Sequence, residues 1–189
     1  MNEIDVRQAV HKKLLKKYRN DGTTLIVDEL GVRQGSARVD IAVVNGVLHG
    51  FELKSAKDNL NRLPAQVEHF SSVMDKMTLV VADNHLQEAM EIIPSWWGVK
   101  VVAQGQRGAI HISTARREKT NKYVDPWALS QLLWHEEILD GLAMCGITKG
   151  VKSRPRWVLW EKLAKEMPLD QLKDFVRSTL RARSDWRDT

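Results

Sequence analysis

The sequence of 189 residues contains a single cysteine, Cys145. One thiol excludes an internal disulfide, so we expect a fold that is stable without cross-links and a reducing, cytoplasmic location. No apolar run approaches the ~20 residues that a membrane-spanning helix requires. Charged side chains throughout the first twenty residues leave no room for the apolar stretch of a secretory signal. We therefore expect no membrane partner.

Low-complexity tracts and internal repeats are also missing. Hydrophobic residues make up 43% of the chain and charged residues 28%, which is the balance of an ordinary folded domain. Collagen-like, fibrous and wholly disordered proteins are excluded on this ground. The length suffices for one hydrophobic core of usual size with an appendage.

The net charge is only +5, but it is unevenly distributed. Residues 1–148 carry 18 basic and 18 acidic side chains, whereas residues 149–189 carry 11 basic and 6 acidic ones. Clustered positive charge favours a polyanionic partner such as nucleic acid. The candidate contacts, at the entrance of a predicted helix, are Lys152, Arg154 and Arg156. A solvated helix surface, or a contact with a second copy or a partner protein, is the alternative.

The order of the predicted elements is a helix, three strands, a helix, a strand, a helix and a final strand pair. This order predicts an α/β fold with a mixed sheet and helices on its faces. We expect an α/β core over residues 1–112, a polar linker over 113–124 and a helical extension over 125–189. Five of the seven tryptophans lie in the extension. They are candidates for base stacking, although core anchoring is the favoured interpretation.

Two short strands carry most of the ionisable residues that could perform chemistry. Glu52 and Lys54 are two residues apart on one predicted strand and therefore share a face. Asn45-Gly46 predicts a two-residue hairpin before that strand. Its register would place Asp40 opposite Phe51, on the other face from Glu52. A bulge, a longer loop or a bend at Gly50 would bring the two carboxylates together.

Carboxylates at short range repel one another unless a cation lies between them, and oxygen donors suit Mg²⁺ or Mn²⁺. Such an ion can polarise a phosphodiester and lower the pKa of a water, while a nearby lysine adds a fixed positive charge. The alternative for the same residues is a solvated strand face with an ordinary ion pair.

The surroundings of these residues resemble a known family. Asp40 stands in the run Gly35-Ser-Ala-Arg-Val-Asp-Ile41, and Glu52-Leu53-Lys54 follows one hairpin later. Arg62 and Gln66 come next, four residues apart on one helix face. Over about residues 24–98 this pattern is similar to the PD-(D/E)XK superfamily of nucleases, and most closely to a group of small bacterial proteins within it. Val39 replaces the usual proline of the motif.

The resemblance implies a restriction-endonuclease-like mixed central sheet flanked by helices, with a helical C-terminal extension. It also implies a Mg²⁺- or Mn²⁺-dependent nuclease acting on nucleic acid, with DNA ahead of RNA. The metal ligands would be Asp40, Glu52 and the Leu53 carbonyl. Lys54 would be the catalytic lysine, Glu29 an accessory acid and Gln66 a supporting amide, with Arg38 and Arg62 contacting phosphate. The alternative is a catalytically silent module on the same fold that binds nucleic acid or protein.

Overall fold

The structure is a computed structural model that describes residues 1–18, 20–105 and 108–183. Six strands form one sheet: β1 Leu25–Val32, β2 Ala37–Val44, β3 Leu48–Lys54, β4 Lys76–Ala82, β5 Gly98–Gln104 and β6 Ile110–Arg116. The described ranges also contain seven α-helices: α1 Glu3–Lys13, α2 Leu63–Ser71, α3 Leu86–Ile92, α4 Pro126–Ser130, α5 His135–Met144, α6 Arg156–Glu166 and α7 Leu169–Ala182. None of the helices in these ranges combines the length and apolarity needed to cross a bilayer.

The strands follow one another across the sheet in chain order. Strands β1, β2 and β3 are antiparallel neighbours, β3, β4 and β5 are parallel, and β6 returns antiparallel to β5. The parallel pairs need crossover connections, which α2 and α3 supply. The predicted α/β class with a mixed, helix-flanked sheet and a helical C-terminal part is therefore confirmed.

Each face of the sheet has its own hydrophobic core. On one face α1 packs Val6 and Val10 against Ile41, Phe51 and other strand side chains. On the opposite face a larger core joins strand residues to the helices of the C-terminal part, as far as Leu180. The C-terminal helices thus share the core of the sheet, and the boundary expected between core and extension does not divide the packing.

The predicted linker over 113–124 is wrong in its first four residues, because β6 continues to Arg116. The remainder is held against the core by the buried Asn121. Its side-chain amide donates to the carbonyls of Ser71 and Met74, at 2.7 and 2.9 Å, and its backbone N–H donates to the carbonyl of Asp75. The polar composition of this segment did not indicate an exposed linker, because the Asn121 side chain forms hydrogen bonds to buried backbone carbonyls.

The hairpin between β2 and β3 corrects the expected register. Val44 pairs with Leu48, leaving a loop of three residues, 45–47. Neither Asn45 nor Gly46 takes the positive φ that a two-residue type I′ turn requires. Instead the Asn45 side chain accepts a hydrogen bond from the Val47 N–H at 3.2 Å. The added residue changes which side chains face one another across the strands.

The tryptophans divide between the two interpretations. Trp97 and Trp160 are buried in the core, whereas Trp127, Trp134 and Trp157 are exposed on the helical layer. Trp186 lies outside the described residues.

Candidate functional site

The site lies where β2 and β3 part from each other. Their pairing ends at Ile41 and Phe51, one residue before Asp40 and Glu52 would meet. Asp40 then replaces the missing ladder bond, since its Oδ2 accepts a hydrogen bond of 2.6 Å from the N–H of Leu53. Both carboxylates line one polar cavity of about 550 Å³. The two-residue hairpin is wrong, and of the three alternatives expected to bring the carboxylates together the structure has the longer loop, which restores their register.

Glu52 and Lys54 form a buried ion pair, as their spacing along the strand predicts. The Lys54 Nζ lies 2.6 Å from Glu52 Oε1, and the two residues are 5% and 1% exposed. The other oxygen, Oε2, is buried without a hydrogen-bond partner among the described residues. Burial, with a further contribution from the nearby Asp40 charge, raises the pKa of Glu52 to about 8, while Lys54 and the Gln66 side chain act in the opposite direction. The carboxylate therefore lacks part of the positive charge it needs to ionise at neutral pH.

Asp40 occupies a less isolated position in the same cavity. Burial raises the pKa of its carboxyl, while the Leu53 N–H and the charge of Arg7 act in the opposite direction. In an extended strand the N–H and C=O of one residue point to the same edge. Because the Leu53 N–H reaches Asp40, the Leu53 carbonyl also faces the side of the sheet on which Asp40 lies.

Arg7 of α1 is the site residue that the sequence analysis missed. Its guanidinium donates to the backbone carbonyl of Asp40 at 2.7 Å and to the carboxylates of Glu29, Glu3 and Asp40 at 2.6, 2.8 and 3.2 Å. The carboxylates of Glu3, Glu29 and Asp40 approach one another within 4.8 Å. Arg7 supplies the positive charge that this group of acids requires, so the three acids are held together without an external ion.

The start of α1 is fixed firmly, which positions Arg7 one turn later. The Asn2 side chain accepts from the Asp5 N–H at 2.9 Å, and the Asp5 carboxylate accepts from the Asn2 N–H at 2.8 Å. This reciprocal capping box satisfies two free amides of the first turn. Glu3 and Arg7 are then one turn apart, as the i, i+4 pair in the sequence implies, but the sequence contains no signal for the strand that they contact.

Glu29 lies at a distortion of β1. Its φ is 61°, in the left-handed region that non-glycine residues occupy at a cost of about 1–3 kcal/mol. The buried side chains of β1 shift by one position there, from Val27 to Leu30 and Val32. The distortion turns the Glu29 carboxylate toward Arg7. The predicted accessory acid thus belongs to the Arg7 group, at one side of the cavity.

Helix α2 borders the cavity opposite the strands. Gln66, Arg62 and Lys57 line it, and the Oε1 of Gln66 is buried with no hydrogen-bond partner in the part of the chain that the structure describes. Arg38 lines the rim, is exposed, and lies 4.0 Å from Glu29. The helix that carries Gln66 starts with Pro64 in its first turn, where proline is favourable.

The remaining predicted phosphate contacts lie elsewhere. Lys152, Arg154 and Arg156 are exposed at the entrance of α6 and do not line this cavity. Arg156 lines a different cavity on the other side of the β1–β2 hairpin. The three predicted contacts of the C-terminal part are therefore not among the residues that line the cavity of Asp40 and Glu52.

The donor set fits a hard divalent cation. Asp40, Glu52 and the Leu53 carbonyl offer only oxygen atoms, as Mg²⁺ and Mn²⁺ prefer. The buried Glu52 Oε2 has no partner in the described ranges and would gain one. The Lys54 pair leaves this oxygen free, because the ammonium contacts Oε1 alone.

The fold and this site together define a class: a mixed α/β protein with a buried Asp, Glu and Lys at the parting of two strands. The family model described as Bacteriophage P4 protein cII matches residues 1–188, and the chain belongs to that family. Protein cII of Enterobacteria phage P4 is 28% identical over 183 residues, which are 97% of this chain and 68% of the phage protein. No solved structure matches the chain.

Proposed function

We propose that this protein is a Mg²⁺- or Mn²⁺-dependent nuclease that hydrolyses phosphodiester bonds of nucleic acid, with DNA favoured over RNA as the substrate. The observation that supports this most is the buried Glu52 beside the carboxylate of Asp40: one of its oxygens contacts Lys54, and the other has no hydrogen-bond partner within the described ranges. The proposal includes the finer fold assignment, a restriction-endonuclease-like sheet, and membership of the PD-(D/E)XK superfamily.

Asp40, Glu52 and the Leu53 carbonyl would hold the ion. When bound, it would supply Lewis acidity toward a phosphate oxygen and a lowered pKa for a water. Arg7 and the Leu53 N–H keep the Asp40 carboxylate in one orientation. Lys54 is fixed by Glu52, so its positive charge is already in place for the negative charge that develops at phosphorus. Arg62 and Lys57 at the cavity wall are suited to the flanking phosphates.

The test is a cleavage assay on single-stranded and duplex DNA and on RNA with Mg²⁺ or Mn²⁺, comparing Lys54→Met with Lys57→Met. Both lysines line the cavity, but only Lys54 pairs with Glu52. We expect Lys54→Met to lower the rate by about 10² or more, and Lys57→Met to lower it only a few-fold. Equal activity of Lys54→Met and wild type would contradict the proposal.

A specific observation also favours the silent binding module. Arg7 and Lys54 already provide positive charge to the acids of the site, so the cluster is held together by the chain's own cations. Calorimetric titration with Mn²⁺ separates the two functions. Heat of binding that disappears in Glu52→Gln supports the nuclease, and an unchanged baseline in wild type supports the module.

A further inference from the structure

A second cavity, of about 350 Å³, lies between the tip of the β1–β2 hairpin and the C-terminal helices. The tip contributes Gln34 and Gly35, and the helical side contributes Gln131, Trp134, Arg156 and Trp160. None of these residues belongs to the acidic site described above except Gly35, which lines both cavities. The two cavities are therefore neighbours across the hairpin tip.

Gln131 of this cavity carries a buried polar atom for which the described part of the chain offers no hydrogen-bond partner. The residue is 9% exposed, and its Nε2 is buried with no hydrogen-bond partner among the residues described. A buried amide donor without an acceptor is destabilising, so such groups are rare in folded proteins. A ligand carrying a carbonyl or ring nitrogen would satisfy it.

The walls of the cavity suit a flat ring. Trp134 is 43% exposed and carries the guanidinium of Arg183, which also lines the cavity, 4.2 Å from its ring centre. The buried Trp160 carries the Arg156 guanidinium 5.8 Å from its ring centre. Indole rings and a guanidinium plane are the surfaces on which nucleobases stack. The combination of flat walls, a positive charge and one unused donor fits a nucleobase with an acceptor on its edge.

The backbone conformation of the hairpin tip sets the position of one cavity relative to the other. Arg33, Gln34 and Gly35 have φ values of 52°, 59° and 82°, so three consecutive residues take the left-handed conformation. Arg33 also lies against the ring of Trp127, 5.6 Å from its centre. The tip is thereby attached to the helical layer, and a nucleic-acid strand could cross it with a phosphate on one side and a base on the other.

We propose that the Gln131 cavity binds an unpaired nucleobase of the strand whose backbone lies in the Asp40–Glu52 cavity. The inference rests on the proposed function and adds a substrate class to it: nucleic acid with an unpaired or extruded nucleotide beside the scissile phosphate. A base inside a duplex is stacked and paired, so it cannot enter a cavity of this size without leaving the helix.

The experiment uses a single-stranded oligonucleotide containing 2-aminopurine, whose fluorescence falls on stacking, titrated with protein in EDTA. We expect Trp134→Leu and Gln131→Leu to weaken binding about tenfold. The matched control is Trp157→Leu, since Trp157 is 60% exposed and lies outside the cavity, and we expect wild-type affinity. A fully paired duplex with the same label should show no change in fluorescence.

A second pair of variants tests the cavity independently, in case Gln131→Leu fails to fold. Arg154 and Arg156 are both exposed near the start of α6, but only Arg156 lines the cavity. Arg156→Ala should weaken binding several-fold more than Arg154→Ala. Equal affinities within each pair would overturn the inference, as would tight binding of free 2-aminopurine nucleoside monophosphate, which would assign the cavity to a soluble nucleotide.

Because the titration contains no divalent ion, its outcome is separate from that of the cleavage assay. Cleavage that depends on Lys54, together with equal affinities of cavity and control variants, would leave the proposed function intact and remove only this substrate class. Base binding in the cavity without any cleavage would keep the base-binding cavity and contradict the proposed nuclease function.

Discussion

Two carboxylates are buried beside β3, one near each end, and their environments differ. Asp75, next to the start of the strand, accepts the Leu48 N–H at 2.8 Å and pairs with Lys173 and Arg177 of α7, each at 3.0 Å. Glu52, near the end, has one cation on one oxygen and no partner on the other among the described residues.

The difference separates a carboxylate that stabilises the fold from one to which the proposed function gives a chemical role. The Asp75 cluster has its acceptors and donors matched, as buried ionic groups in structural positions are. The Glu52 cluster leaves an acceptor unused and a pKa displaced upward, which is the condition in which functional carboxylates are found. Substitutions at the two positions should therefore have opposite consequences.

The largest effect is expected for Asp75→Ala. It leaves the ammonium of Lys173 and the guanidinium of Arg177 without their common acid and removes the acceptor of the Leu48 N–H. Removing one member of a buried ionic cluster costs about 3–5 kcal/mol. Urea denaturation followed by circular dichroism measures the free energy of unfolding. A loss below about 1 kcal/mol would place Asp75 among ordinary surface acids.

His49, which lies between the two carboxylates along β3, should show an acid-dependent effect of about 3 kcal/mol. Burial lowers its pKa to about 4 from an ordinary 6.5, and its ring contacts Thr78 Oγ1 at 2.9 Å and stacks on Phe51. The unfolded chain therefore binds a proton between these pH values and the folded chain does not, so stability falls as pH drops from 6.5 to 4.

The measurement is the free energy of unfolding of wild type and His49→Gln at pH 4.5, 5.5 and 6.5. The variant should lose less stability on acidification than the wild type. Parallel curves for the two proteins would show that the pKa of His49 is the same in the folded and unfolded chains.

A smaller effect, about 2 kcal/mol, is expected for Glu52→Gln in EDTA between pH 6 and pH 8. The pKa of Glu52 is raised in the fold, so the folded protein holds a proton that the unfolded chain releases, and wild-type stability falls as pH rises toward 8. Glutamine keeps the shape and never ionises. The free energy of unfolding of the variant should therefore rise relative to that of the wild type as pH increases. A difference between the two proteins that does not change with pH would contradict the raised pKa of Glu52.

Some of the site follows from local sequence alone. The period of two along a strand places Glu52 and Lys54 on one face, and the 2.6 Å contact confirms this. The position of Asp40 relative to Glu52 cannot be predicted from local sequence, because the register of the two strands depends on whether the loop at Asn45-Gly46 has two or three residues. There the Asn45 side chain, by bonding to Val47, favours a wider loop than the dipeptide alone predicts.

Arg7 and Asp75 could not be found from the sequence. Arg7 reaches Glu29 and Asp40 across 22 and 33 residues of chain, and no local pattern specifies how α1 packs on the sheet. Asp75 lies among the apolar residues that precede β4, where a lone acid is a sign of a buried partner. The identity of that partner depends on α7, which arrives about a hundred residues later.

That separation also governs the order of folding. Arg177 and Asp75 are 102 residues apart in the chain, so closing this loop is among the costly steps in entropy. During synthesis the sheet can pair its strands before α7 has left the ribosome, but Asp75 then has neither of its cations. The core of the nascent chain therefore remains incomplete until α7 is made, and a ribosome stalled before α7 would present an unfinished core to chaperones and proteases.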